Sequence, residues 1–372
     1  MKRVKILSAL LSIAMVLSLL MTSCGSGGSS SPSGQSAGGA SQSSGGTEVW
    51  EKTYEADGKT YPAMTIKQGT IGNMSDIACT PGCQGFAAFQ KFMEGRSGGK
   101  IKVEIYDNGV LGGDEAMLEQ VSQNSLQITT PMTSGLLTYD EEFGAVELPF
   151  LFSSSDQVIK AMEGGVGEYY KKALDPSTGL AIAGYYYCGA RSMTNNKHPI
   201  TSVADCKDLK MRVMNNDVYI KMMEALGANP TPITWGELFT AMQQGTVDGQ
   251  ENPPSTIYPS NFAEVQKYFS KTEHVYGYAA IVVNADFYRG MDADTRALFD
   301  EGIKLLIDIA NEAELELGDA YIAKMAEAGM ECNDIDADKK QEFIDATASV
   351  RDSYRGVYSA ELWTLLDAAA AG

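Results

Sequence analysis

DLKMRVMNNDVYIKMMEALGANPTPITWGELFTAMQQGTVDGQEN, residues 208–252, is the stretch whose reading decides the fold. Over 209–214 the side chains alternate, with Leu209, Met211 and Val213 on one face and Lys210, Arg212 and Met214 on the other, as a strand requires. Arg212 is thereby turned away from the apolar side. A helix follows over 217–226 with Val218, Met222 and Leu226 in line, closed by Gly227 and then by Pro230 and Pro232. Thr234 and Glu237 have the spacing of a capping box in front of a helix over 235–244, which Gly245 stops. A short strand over 246–248 then runs into Gly249-Gln250-Glu251-Asn252, whose amides suit the rim of a cleft. Strands alternating with helices predict parallel sheet covered by helices.

The same alternation extends outward. Strands are expected over 61–69, 100–106, 126–130 and 180–188, and helices over 86–94, 113–123 and 155–172, with an apolar turn over 147–152. Toward the C-terminus, Phe299, Ile303, Leu306, Ala310, Ala313, Leu317, Tyr321 and Met325 recur in steps of three and four, which predicts one helix over 293–328. At 1.5 Å per residue it would be about 54 Å long, longer than one lobe of ordinary size, so it must overhang or bridge. The alternative is a pair of helices broken at Gly302 or Gly318. A chain of 372 residues is long enough for two lobes.

The first residues do not belong to this pattern. Lys2, Arg3 and Lys5 precede an apolar run over 6–21 that is too short for a lasting membrane span, as in an export signal. Met21-Thr22-Ser23-Cys24 resembles the lipobox of bacterial lipoproteins, which implies a signal peptide over 1–23 and a lipid on Cys24; an ordinary secretory signal is the alternative. Residues 25–47 are mostly Gly and Ser with no charge, the composition of a flexible tether spanning roughly 25 Å. Five further cysteines cannot all pair within one chain. Cys79 and Cys83 bracket the turn-forming Thr80-Pro81-Gly82, so a disulfide between them is expected, whereas Cys188 lies in an apolar run as a core residue would.

Composition excludes several functions. With 29 basic against 48 acidic residues the formal net charge is −19, which disfavours nucleic acid as a partner. Two histidines, His198 and His274, and the lack of a Cys/His spacing point to no metal and no cofactor. Gly34-Gln35-Ser36-Ala37-Gly38 matches a nucleophile elbow only in letters, because it sits in the tether with no strand before it and no helix after it. Asp334, Asp336 and Asp338 alternate as in a calcium loop, but Lys339 stands where that loop needs glycine.

Residues 208–274, together with SGGKIKVEIYDNGVLGGDEAMLEQV (97–121), ELPFLF (147–152) and GARSMTNN (189–196), resemble the extracytoplasmic solute-binding proteins of tripartite ATP-independent periplasmic (TRAP) transporters, the DctP type. The resemblance implies an α/β, two-lobed periplasmic-binding-protein-like fold whose lobes are bridged by the long helix. Lobe I would comprise 48–188 and about 277–317, and lobe II 189–276 and about 318–372. It implies no enzyme. The chain would be a monomeric receptor on the outer face of the cell membrane, held by its lipid anchor, capturing a small organic acid and delivering it to a small and a large membrane subunit for uptake driven by an ion gradient. By the same resemblance Arg212 pairs bidentately with the ligand carboxylate, Arg191 supports or also touches it, Asn252 contributes an amide and Trp235 packs over the ligand. Asn73 and Asp114 fall near other ligand-touching positions. Met132 and Thr133 lie in a loop where sialic-acid-binding members carry a glutamate at the position of Met132, which speaks against that ligand. A C4-dicarboxylate, a sugar acid and other small acids stay open. Two other readings are a ligand-sensing lipoprotein receptor and a secreted hydrolase with paired carboxylates, the latter without any motif.

Overall fold

The computed structural model describes residues 49–174 and 176–372. The signal peptide, Cys24 and the tether lie outside the described residues. The elements are, in chain order, β1 (Met64–Gly69), α1 (Pro81–Arg96), β2 (Ile101–Tyr106), α2 (Asp114–Ser122), β3 (Ile128–Thr129), α3 (Ser155–Glu163), α4 (Gly165–Ala173), β4 (Leu180–Asn195), β5 (Lys210–Val213), α5 (Asp217–Ala225), β6 (Asn229–Pro232), α6 (Trp235–Gln243), β7 (Gly249–Asn252), α7 (Pro254–Ile257), β8 (Tyr268–Asn284), α8 (Ala285–Gly290), α9 (Ala293–Glu327), β9 (Glu331–Asp334), α10 (Ala337–Ala346), α11 (Ala348–Ser353) and α12 (Ala360–Ala371).

One sheet carries them all, in the order β2-β1-β3-β8-β4-β7-β5-β6, with β9 also paired to β8. At one end β1 runs parallel to β2 and β3; at the other β5 runs parallel to β6 and β7. The long antiparallel pair β4 and β8 joins the two groups. The expected parallel pairing therefore holds within each half, and an antiparallel ribbon connects the halves.

Each half has its own apolar packing. Around β1 to β3, Ile66, Val103 and Ile128 meet Phe86, Phe89 and Met93 of α1 and Leu298, Phe299 and Ile303 of α9. On the opposite face Met117, Val121, Val158, Val166 and Tyr170 form a second cluster. In the other half Met211 and Val213 pack with Tyr219, Met222 and Met223, and a further cluster under α6 joins Leu238, Phe262 and Phe269 to Met325. Helix α9 is continuous through Gly302 and Gly318, and it reaches the β1 side with Phe299 and the α6 side with Met325. The bridging helix is thus one element.

Several local expectations are corrected. The helix expected over 155–172 divides at Gly164, which caps α3 and precedes α4. The strand expected over 246–248 is displaced, so that the polar run 249–252 is itself β7. Thr234 and Glu237 bond to each other (Oγ1 to Oε2, 2.7 Å) and Thr234 makes no side-chain cap to the backbone of α6. Helix α1 starts at Pro81, a residue suited to a first helical turn because it needs no N–H partner there. That early start carries Cys83 into the apolar face beside Phe86, as a fully buried free thiol, so the disulfide expected with Cys79 is not formed. Of the C-terminal stretch expected in lobe II, α12 packs instead on α3 and α4, with Leu362, Trp363 and Leu366 in their cluster.

Candidate functional site

Arg212 lies on β5, facing away from Met211 and Val213, as the alternation requires, and is 3% exposed. Its Nε donates to the carbonyl of Ile233, 2.8 Å away, just beyond the neighbouring strand β6. Among the described residues its two terminal nitrogens have no hydrogen-bond partner, and no carboxylate lies within ion-pair distance. Burial, with Arg191 nearby, pulls this guanidinium down to about 10 against the opposing influence of Glu251, and it remains protonated at neutral pH. A buried cation whose two-nitrogen fork has no hydrogen-bonded carboxylate has the chemistry to pair with an external anion.

Arg191, on β4, has the opposite surroundings. It is 2% exposed, and its Nε and Nη2 reach Glu251 Oε2 and Oε1 at 2.6 and 2.8 Å, while Nη2 also donates to the carbonyl of Glu251 at 2.7 Å. The guanidinium sits over the Tyr219 ring, 5.4 Å from its centre. His274, fully buried, places Nε2 3.2 Å from Glu251 Oε2 and Nδ1 2.8 Å from the Thr272 hydroxyl. Burial pushes Glu251 up, but Arg191 and His274 prevail and hold it at about 2. Burial also lowers His274 more than Glu251 raises it. A neutral ring beside an ionised carboxylate carries its proton on Nε2, donates it to Glu251, and accepts the Thr272 hydroxyl at Nδ1.

The other expected residues divide between the two ends of the sheet. Asn252, buried at the end of β7 and paired with Ser192, donates Nδ2 to Gln250 Oε1 at 2.5 Å. Trp235 opens α6, half-buried, with its ring 5.8 Å from that of Phe262. On the first half, Met132 bridges to Ala279 and its methyl end lies against Gly277. Asp114 is half-buried in the first turn of α2; burial dominates and raises it to about 6 against the nearby Met132 backbone, with Glu115 and Glu147 adding to the rise. Thr133 is fully buried and donates to Glu147 Oε1 at 2.5 Å. Asn73 uses its side-chain oxygen locally, accepting from the backbone and hydroxyl of Ser75, and no hydrogen bond joins it to the others.

Sequence reading missed Glu147, Glu251, Tyr219 and His274. Glu147 is fully buried; Thr133 and the Ser134 N–H hold Oε1, whereas Oε2 and the Tyr219 hydroxyl are both buried without a partner. Burial outweighs these bonds and Arg191, and raises the Glu147 carboxyl. The one available signal was the position of each acid, Glu147 heading the apolar run 147–152 and Glu251 inside 249–252, where an acid must be paired to be buried. A cavity of about 300 Å³ lies where β4 and β8 meet α9, bordered by Tyr187, Gly189, Tyr276 and Glu314; it touches none of the expected ligand residues.

Comparison with known proteins shows the family. The model of bacterial extracellular solute-binding protein family 7, DctP, matches residues 75–356. A solute-binding protein of Verminephrobacter eiseniae is 34% identical over 70% of this chain and 77% of its own length. The C4-dicarboxylate-binding periplasmic protein DctP of Rhodobacter capsulatus is 30% identical over 78% of this chain and 88% of its own. Among solved structures, the sugar acid binding protein DctPAm of Advenella mimigardefordensis, in complex with galactonate, superposes with a TM-score of 0.79 at 29% identity, covering 84% of this chain and 99% of that one. These relatives are transport receptors and not enzymes. The chain belongs to the DctP family and is an extracytoplasmic solute-binding protein of the TRAP type.

Proposed function

We propose that this protein captures a small organic acid by pairing its carboxylate with the guanidinium fork of Arg212 and delivers it to a small and a large membrane subunit for ion-gradient-driven uptake. The observation that carries this reading is the buried Arg212 with both terminal nitrogens free, beside an Arg191 already neutralised by Glu251. Arg191 then acts by holding β4 and β7 in place, and Asn252 and Trp235 border the same end of the cleft. Relatives named for a C4-dicarboxylate and bound to galactonate support the ligand chemistry. A planar guanidinium matches both carboxylate oxygens, which an ammonium cannot do.

Calorimetry on wild type, Arg212→Ala and Arg212→Lys with the best acid from a thermal-shift screen tests the pairing. Removing one partner of a buried charge pair costs about 2–5 kcal/mol, or roughly 30- to several-thousand-fold in affinity. The lysine variant should recover only part of that. Affinity within about threefold of wild type in a folded alanine variant would remove Arg212 as the anchor. Delivery also requires the receptor to stay at the membrane, and we assign that task to a lipid on Cys24. Cys24→Ser is expected to release the protein or leave it uncleaved, as read by fractionation; normal processing with membrane retention would overturn the anchor.

A further inference from the structure

The cavity of about 300 Å³ at the junction of β4, β8 and α9 lies apart from Arg212 and from the other residues expected around an acid ligand. One of its walls is Glu314 of α9, whose carboxyl lies against the bulge in β4: its Cδ is 3.1 Å from where a Cβ on Gly189 would stand. Glu314 is almost wholly buried. Among the described residues no ion pair reaches it, and Ser255 alone lies close enough to favour its ionised form. The other two acids on the cavity have cations of their own. Asp319 is paired with Lys271 at 3.0 Å, and Glu273 with Lys340 at 3.0 Å and with Lys271 at 3.7 Å. The cavity therefore presents one buried carboxyl that lacks a counter-charge within the protein, an arrangement that costs free energy unless a proton or an external cation relieves it.

The rest of the wall suits the carbon part of such a cation. Tyr187, Tyr276, Leu315 and Ile322 border the same space, and aromatic rings attract an ammonium group as well as its alkyl chain. At Gly318, also on the wall, a Cβ would meet nothing within 4 Å, so the α9 side is open. Small-molecule sites run from roughly 300 to 1,000 Å³, which limits the occupant here to a compact molecule. We propose that this cavity is a second ligand site, for a small organic ammonium ion, with Glu314 as its counter-charge. The binding form is the carboxylate. Burial raises Glu314 to about 7, so at lower pH the ammonium ion must first displace a proton. The neighbouring Tyr187, Tyr276 and Cys188 stay protonated throughout, since burial pushes Tyr276 up to about 12 and the other two higher. Affinity should therefore fall as the pH is lowered.

Calorimetry with n-butylamine and benzylamine, against the uncharged n-butanol and benzyl alcohol, tests this at pH 8 and pH 5.5 without any organic acid. The proteins are wild type, Glu314→Gln, Gly318→Leu, which fills the cavity and removes no charge, and Asp319→Asn as a control on the exposed rim. At pH 8 an amine is expected to bind wild type at least tenfold more tightly than its alcohol and at least tenfold more tightly than at pH 5.5. Glu314→Gln should lose both differences, Gly318→Leu should weaken the amine at least tenfold, and Asp319→Asn should stay within about threefold of wild type. No binding of either amine at pH 8 overturns the site. An alcohol that binds as tightly as its amine, or an amine that binds Glu314→Gln as it binds wild type, overturns Glu314 as the counter-charge. Should Glu314→Gln not fold, Gly318→Leu decides: unaltered amine binding there places the amine elsewhere and overturns the site. Arg212→Ala should bind the amines like wild type, so failure of the acid-binding reading and failure of this one are read separately.

Discussion

Arg191 and Arg212 are equally buried, yet they are predicted to fail in opposite ways. Arg191 is one half of a doubly bonded pair, and removing it leaves Glu251 ionised in the interior with only neutral His274 beside it. Breaking such a pair from one side destabilises by about 3–5 kcal/mol. Arg212 has no carboxylate to orphan, and Arg212→Met trades an uncompensated buried cation for an apolar chain of similar reach. We expect Arg191→Met to lower the unfolding free energy by an amount of that order and Arg212→Met to change it by less than about 1 kcal/mol or to raise it. Urea denaturation of both variants without ligand is the measurement. Equal losses would mean that Arg212 has a structural partner after all.

At the scale of elements, the crossing strands carry the irregularities. The register of β4 on β8 slips between Tyr187/Ala190 and again between Arg191/Met193, so Cys188 and Gly189 bulge opposite Gly277, and residues 271–274 loop out opposite Ser192. Gly189 has φ +92°, a conformation that favours glycine, and the Glu314 carboxyl of α9 occupies the space where a Cβ would stand. Glu314 is 5% exposed; burial raises it to about 7 against the opposing influence of Ser255 nearby. For an acid raised from about 4.5 the folded state holds the proton more tightly, so its contribution is complete below about 4.5 and is lost as pH rises through about 7. Glu314→Gln does not titrate. Its stability relative to wild type should therefore rise between pH 5 and pH 8, by up to the order of 3 kcal/mol. Urea curves at the two pH values decide this; a difference independent of pH would mean that Glu314 is already ionised when folded.

Taken whole, the described chain is two parallel-stranded groups held together by one ribbon and one helix. The bulges at Gly189 and Gly277 sit where the ribbon passes from one group to the other, and a few residues of irregular backbone are what a hinge needs. We propose that ligand closes the two halves about this point. Arg212 belongs to one half, so a ligand that also touches the other half gains those contacts only in the closed form. Small-angle scattering should show a smaller radius of gyration at saturating ligand than without it, and an unchanged curve would argue for a rigid site.

Helix α9, the face of Arg212 and the alternating α/β order were all legible in the sequence, because each depends on a short-range repeat of 3.6 or two residues. The family resemblance pointed to Arg191 and Asn252 as well. Tertiary structure alone decided which charges neutralise one another. Arg191 and Glu251 are 60 residues apart, His274 and Glu251 are 23 apart, and Thr133 and Glu147 are 14 apart. No periodicity relates such positions, and His274 lies in an irregular part of β8 that alternation does not encode. The same holds for Cys83, whose thiol the turn at 80–82 promised to Cys79 and the early start of α1 placed in the core. It holds also for Glu314, which lies in α9 between the expected apolar positions and is buried because Gly189 leaves it room. Burial and pairing are properties of three-dimensional neighbourhood, and the difference between the neutralised Arg191 and the unpaired fork of Arg212 rests on them.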